Sequence, residues 1–327
     1  MSAEASLRTR SMLGLAVVSV VFVVIPPFLP SWILFVLTIA LAKAMVVLGV
    51  VLVLRGGLIS LGHGLYFAGG AYAVGFTMHY LDTTEALVAV PLAIVSGAVL
   101  ASLAGLILRR YRGIFFAMLS LAFSMVLYTL LLKFYAVTGG TDGLSIQPMS
   151  IAGVQPEAEH VRVVQYYLVL VLGAAVIYLG AHFGSSPLGY LMQALRYNEI
   201  RVEYMGASVN RSIYWSYVIS GALGGLGGGL FAFNVGHVAP ELAYWISSAD
   251  FVFVAVLGGT GSVFAPFAGS IVFEFVKNYA FKLSPETWQM TLGIVLLLII
   301  FFLPQGLWSL KDRVAGKWAR PSSGPST

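Results

Sequence analysis

Apolar runs of about twenty residues recur along this chain with almost no charge inside them. A helix that crosses a bilayer needs about 20 apolar residues. Within lipid every backbone N–H and C=O must be satisfied internally, which leaves helices and closed barrels as the spanning structures. Runs of helix length select the first. Of the 327 residues 59% are hydrophobic and only 9% are charged, where a soluble domain carries about 25%. The expected fold class is therefore all-α, a polytopic membrane protein. The spans read from the sequence are 11–29, 31–54, 57–79, 86–108, 113–132, 165–183, 212–234 and 288–308. Two further pieces, 245–257 and 264–281, flank "GGTGSVFAP" and read as half-helices, with Gly258, Gly259 and Gly261 as the break. Together they make about ten membrane segments. Broken helices are tolerated at such depth where protein surrounds them.

The basic N-terminus before "SMLGLAVVSVVFVVI" has the outline of a signal peptide, but "PPFLPS" follows without a small-x-small cleavage pattern. The reading is an uncleaved first span behind a short segment, 1–10. Lys and Arg orient the rest. Arg8 and Arg10, "RRYR" at 109–112, Arg196, Arg201 and Arg211, and Lys311, Arg313, Lys317 and Arg320 fall in alternate loops. "LDTTE", "TDG", "PEAEH" and "APEL" occupy the others. The bias places both termini in the cytoplasm, with a membrane domain over 11–310 and a Pro/Ser/Gly-rich tail over 311–327. The net charge of +5 is thus a topology signal, not a nucleic-acid one. The chain has no Cys, so disulfides and Cys-ligated metals are excluded. No set of carboxylates or His has catalytic or metal spacing.

One polar stretch does not read as a plain connection: "SSPLGYLMQALRYNEIRVEYMGASVNRS", 185–212. Leu188, Leu191, Leu195 and Val202 form a helical stripe that Met192 widens, and Gly206 is a stop. An interfacial helix resting on lipid calls for excess Lys on its polar face. Here acids and bases balance, which suits a protein partner.

At "GGLISLGHGLYFAGGAYAVG" (56–75), "RGIFFAMLSLAF" (112–123), "TGGTDGL" (138–144), "LMQALRYNEIRVEYMGASV" (191–209), "ISGALGGLGGGL" (219–230), "VLGGTGSVFAPFAG" (256–269) and "LPQGL" (303–307), in unbroken order, the chain resembles the LivM-type permease subunits of branched-chain amino acid ABC importers. The resemblance implies a type II importer permease fold in a bacterial inner membrane. It implies a second, LivH-type permease, two LivG/LivF-type ATPase subunits that hold ATP and Mg, and a periplasmic binding protein. This chain would bind no cofactor. The resemblance makes 188–206 a coupling helix, with Leu195, Arg196, Glu199, Arg201, Glu203, Met205 and Gly206 at or beside the ATPase contact. The sequence departs from the family at Gly64-Leu65-Tyr66 and at "YWISSADF" (244–251), which leaves open leucine-like amino acids, amides, urea and aromatic acids as substrates.

The remaining motifs have local readings. "GALGGLGGGL" pairs Gly221 with Gly225 and Gly224 with Gly228, a small-xxx-small spacing for close helix packing. With no strand before it and no Walker Lys, it is not a nucleotide loop. "TGGTDGL" is a turn at the outer face. "GLISLGHG" begins a span at a break, where helix ends can receive a carboxylate. Ser60, Gly62, His63, Gly64 and Tyr66 are the pathway candidates there. Lys43, Glu274 and Lys277 are intramembrane charges that must face protein or water, and Glu274 with Lys277, three apart, is the expected pair. An ion-coupled secondary transporter or a urea or ammonium channel stays open as an alternative. An intramembrane enzyme lacks its constellation.

Overall fold

The computed structural model describes residues 22–24, 26–151, 153–157, 160–303 and 306–309. The expected N-terminal segment, most of the first span and the tail lie outside the described residues. The described chain is helical almost throughout. The long helices are α1 (Ser31–Leu54), α2 (His63–Tyr80), α3 (Ala86–Leu108), α4 (Gly113–Lys133) and α5 (Val161–Gly184). Two short ones follow, α6 (Pro187–Tyr197) and α7 (Glu199–Tyr204). Then come α8 (Val209–Val235), α9 (Trp245–Gly258), α10 (Ala265–Leu283) and α11 (Trp288–Phe302). Five of these, α1, α3, α4, α5 and α8, are long and apolar enough to cross a membrane.

The bundle is built round α8 and α1. Helix α8 packs against α3, α1 and α2, and α1 also carries α10 and α5. Glycine lets the backbones meet, because lipid drives no apolar attraction between helices and close van der Waals packing must do so instead. A Cβ at Gly225 would strike Ala93 O of α3, one at Gly228 would strike Phe67 O of α2, and one at Gly227 would lie 2.5 Å from Ala42 O of α1. The glycines of "GALGGLGGGL" thus face three different helices.

Connections gather at two ends. At one, Arg112 reaches Glu199 and Asn210, and Arg55 Nε donates to Thr260 O at 3.1 Å. At the other, Glu85 Oε1 accepts from Gly153 N, and β1 (Leu144–Ser145) pairs antiparallel with β2 (His237–Val238). Among the described residues, the basic loops at 109–112 and 196–211 therefore share one end and the acid-bearing loops the other. The strand pair is a small exception to an all-α fold. The turn "TGGTDGL" produces it: Gly139, Gly140 and Gly143 all have positive φ and swing the chain against the residues that leave α8 at Gly236.

The span expected over 57–79 is corrected. Helix α2 begins only at His63, and 58–62 is non-helical, with a bend at Leu61. A Cβ at Gly62 would lie 2.6 Å from Ser120 O, so the stretch is pressed against α4. Its backbone is satisfied from outside the helix, with Leu61 N donating to Ser120 Oγ at 3.0 Å. Non-helical backbone at this depth needs such partners.

The glycine break between α9 and α10 is sharper than its sequence implied. Gly259 has φ 92° and ψ 162°, a region essentially closed to other residues. Gly258 is packed on Ala265 and Gly269, and Gly306 on Gly259, whereas a Cβ at Gly261 would meet nothing. Gly259→Ala is therefore expected to cost about 1–3 kcal/mol, read as a lower unfolding temperature in detergent. Gly261→Ala should leave that temperature unchanged. Equal behaviour of the two variants would contradict the turn geometry.

Candidate functional site

Three polar features stand out in an apolar bundle. The first surrounds the start of α2. No side chain caps this helix end. Instead, hydroxyls from three other helices close on it. Gly64 N donates to Ser248 Oγ of α9 at 2.8 Å. His63 Nε2 and Ser220 Oγ of α8 share a hydrogen bond of 2.6 Å. Ser60 Oγ and the Tyr217 hydroxyl of α8 stand 3.4 Å apart, and Ser124 Oγ of α4 donates to Ala243 O at 2.7 Å. The His63, Tyr66 and Tyr217 rings meet edge to face, with centroids 5.6 to 6.4 Å apart. The five pathway candidates, Ser60, Gly62, His63, Gly64 and Tyr66, thus come together, and His63, Tyr66 and Ser60 are buried.

This cluster is closed to solvent and incompletely satisfied. Ser216 Oγ is buried without a hydrogen-bond partner among the described residues, and His63 Nδ1 and the Tyr66 hydroxyl make none of full geometry, their nearest polar neighbours being the Ser60 backbone and Tyr217. A buried group left without a partner costs about 1–3 kcal/mol. Sequence reading found Ser60 but missed Ser120, Ser124, Ser216, Ser220, Ser248 and Tyr217. A signal was available: Ser120 with Ser124, and Ser212, Ser216 and Ser220, recur every fourth residue and so line single helix faces.

The second feature is a pair of ion pairs. Lys43 Nζ of α1 lies 2.7 Å from Glu274 Oε1, and Lys277 Nζ lies 2.7 Å from Asp250 Oδ2 of α9. The expected Glu274–Lys277 pairing along α10 is corrected: each residue of α10 pairs with a different neighbouring helix. Three residues along a helix turn the side chain by about 60° net, enough for one to face α1 and the other α9. Aromatic faces complete the cation sites, with Lys43 over Phe231 at 5.5 Å and Lys277 over Trp288 at 5.1 Å. Asp250 went unnoticed because it is the lone acid in a short apolar piece.

Removing one partner of a buried pair leaves an uncompensated charge, which costs about 3–5 kcal/mol, whereas replacing both is often neutral. Glu274→Leu is expected to destabilise the chain by about 3 kcal/mol, and Lys43→Met in the same molecule should restore most of the loss. Thermal unfolding in detergent reads both. A double variant no better than Glu274→Leu would remove the pairing from this account.

The third feature is the polar segment, which is two helices rather than one. Ser186 caps α6 by accepting from Gly189 N, with Pro187 in the first turn. Asn198 leaves α6 in extended backbone and caps α7 by accepting from Arg201 N at 2.9 Å. At the end of α7, Gly206 N donates to Glu203 O and Ala207 N to Val202 O, with φ 85° at Gly206. That is a Schellman stop, for which glycine is the preferred residue.

The expected contact residues divide. Leu195 turns inward with Met192 and Val202, into one buried cluster with Val53, Leu58 and Phe116. Glu199 is held by Arg112, whose Nε lies 2.9 Å from Oε2 and whose Nη2 lies 2.8 Å from Oε1. Arg196 lies alongside Gly57 with its side chain exposed, and Arg201, Glu203 and Gly206 are exposed too. Met205 is 79% exposed, and sequence reading passed over Tyr197 and Tyr204, each 88% exposed, and Ile200 at 64%. Large apolar side chains left uncovered on a capped, anchored frame make a candidate interaction surface.

A family model described as the branched-chain amino acid transport system / permease component matches residues 32–300. The chain is similar to the high-affinity branched-chain amino acid transport system permease protein LivM of Salmonella typhimurium, at 29% identity over 238 residues. It is 28% identical over 238 residues to the protein of the same name from Escherichia coli. Each comparison covers 66% of this chain and 56% of the relative, so the chain spans little more than half the length of the curated relatives it matches. No solved structure matches it significantly.

Proposed function

This chain belongs to the branched-chain amino acid transport system permease family, and from that premise we propose that it is the M-type permease subunit of an ATP-driven importer. In this reading about ten segments, with both termini in the cytoplasm of a bacterium, form half of a translocation pathway in the inner membrane. An H-type permease forms the other half. Two ATPase subunits beneath them hold ATP and Mg, and a periplasmic binding protein supplies branched-chain amino acids or related small solutes. The chain performs no chemistry of its own.

The observation that carries the proposal is the route from the exposed face of α6 and α7 to the buried cluster at α2. Tyr197, Tyr204 and Met205 face outward. On the opposite side Leu195, Met192 and Val202 pack against Leu58. Two residues beyond Leu58, Ser60 lies against Tyr217, and three beyond that His63 bonds Ser220. The Arg112 clamp on Glu199 ties the unit to α4 as well. A push from an ATPase subunit on α6 and α7 is then delivered to the non-helical stretch 58–62, which no helical hydrogen bonds stiffen. Its displacement opens the cluster, whose incompletely satisfied hydroxyls and imidazole nitrogen suit a passing carboxylate or ammonium.

The intramembrane ion pairs favour a second reading, an ion-coupled transporter that works alone. Uptake separates the two. Vesicles with the chain, its permease partner and the ATPase subunits are expected to take up labelled leucine only with internal ATP and external binding protein. Uptake driven by a proton or sodium gradient, without ATPase subunits, would overturn the importer.

A further inference from the structure

A groove of about 710 Å³ opens between α9 and α11, on a different face from the cluster at α2. Its walls are mostly apolar, with Phe253 on α9 and Leu292 and Leu296 on α11, and two small residues, Ala249 and Gly293, give it depth. Near one end lie two polar groups, the Asp250 carboxylate and the Gln289 amide. Lys277 bonds Asp250 through Oδ2 only, and both side chains remain partly exposed, at 26% and 18%.

That exposure decides what can fill the groove. Acyl chains solvate neither a carboxylate nor an ammonium, and such charges in a membrane face protein or water. Asp250 sits five residues inside α9, about 8 Å below Trp245 at a rise of 1.5 Å per residue. Trp245 and Trp288 open their helices at the acid-bearing end, where tryptophan marks the headgroup level. A lipid headgroup would have to sink below that level to reach the ion pair. A small solute entering from that end would not.

We infer that this groove is an intake site for a zwitterionic amino acid with an apolar side chain. The inference rests on the importer reading and adds a site to it. The solute's ammonium lies on Asp250 Oδ1. Its carboxylate takes the Gln289 amide and faces the charge of Lys277, which stands behind Asp250 and the Trp288 ring, and its side chain lies along Leu292, Leu296 and Phe253. The ion pair holds both charges in place before a solute arrives, and Trp288 and Phe273, 5.1 and 5.7 Å from Lys277 Nζ, fix the ammonium. Electrostatic complementarity of this kind selects a solute that carries both charges.

The chain has no cysteine, so one introduced thiol reports alone. A Cβ at Gly293 would meet nothing within 4 Å, which makes Gly293→Cys a mild substitution. In membranes holding the full chain, that thiol is expected to react with a charged, water-soluble methanethiosulfonate. Millimolar L-leucine should slow the reaction at least threefold, and neither n-butylamine nor isovalerate should do so. Protection should vanish when Asp250→Asn and Lys277→Gln are combined. It should vanish also with Leu297→Trp, which narrows the exposed wall and leaves the pair intact.

Reaction with membrane-permeant N-ethylmaleimide but not with the charged reagent would mean that lipid fills the groove, and would overturn the inference. Labelling that leucine does not slow, or protection that survives both changes, would overturn it too. The readout needs no ATPase and no uptake, so this site and the importer reading can fail separately.

Discussion

Leucine in place of Gly225 is expected to remove the folded protein from the membrane. A Cβ at this position would strike Ala93 O and lie 2.9 Å from Gly97 Cα and 3.0 Å from Gly97 N. These are backbone atoms of α3, not the ends of flexible side chains. On the neighbouring side, Gly70 of α2 is pressed against Gly225 O, so α8 cannot back away without opening that contact. Overpacking a core that can adjust costs about 1–3 kcal/mol. Here two helix axes would have to separate, and the loss should exceed that range. The measurement is the amount of full-length chain in purified membranes, expected to fall at least tenfold. Gly261→Leu, where the site is open, should stay near the native level. A native level for the Gly225 variant would show that these helices do not meet through their backbones.

The second large effect belongs to the exposed face of α6 and α7. With Tyr197→Ala and Tyr204→Ala combined, the chain should insert at its native level yet no longer copurify with ATPase subunits. Truncating an interface anchor costs about 2 kcal/mol or more; two together are worth about 4 kcal/mol, roughly a thousandfold in affinity. Leu195→Ala should do the reverse. Leu195 is buried in the chain's own core, so its loss should lower the unfolding temperature, by an energy of about 2–5 kcal/mol, with assembly intact at low temperature. Glu203→Lys, on the exposed face, should weaken copurification more than Glu203→Ala, since like charges repel across an interface. A helix that only rests on lipid gives another pattern. Alanine at the two tyrosines would leave ATPase binding untouched, and lysine at 203 would strengthen the hold on anionic lipid.

Two of the helices were legible in the sequence almost to the residue. The bounds of α1 and α3, 31–54 and 86–108, came directly from apolar runs closed by Pro30 and Arg55 and by Glu85 and Arg109. These are local facts: lipid demands a fixed apolar length, and proline or charge ends it. The stop at Gly206 and the break at Gly258 and Gly259 were legible for a similar reason, because a positive φ or a backbone contact requires glycine whatever surrounds it. The glycines of α8 gave their packing role, though not their partners.

Tertiary structure decided which way each helix faces. In water an apolar stripe marks the inside of a helix. In lipid both the protein-facing and the lipid-facing sides are apolar, and the stripe loses its meaning. Helix α1 is almost wholly covered and α4 mostly bare, yet their compositions are close. The same blindness hid the partners of the charges. Lys277 had Glu274 one turn away in sequence, but Asp250 lay closer once α9 folded back at the glycine break. It also hid the late start of α2, since "GLISL" is as apolar as a helix, and only the contact with Ser120 holds it outside one. In the polar segment, Leu195 and Met205 look alike as letters. One faces Val53 and Phe116, the other open space, because the turn at Asn198 and the clamp of Arg112 on Glu199 set the angle of the segment against α4. Spacing along one strand of sequence carries no information about where a second helix will stand, and that position selects the partner of every side chain between them.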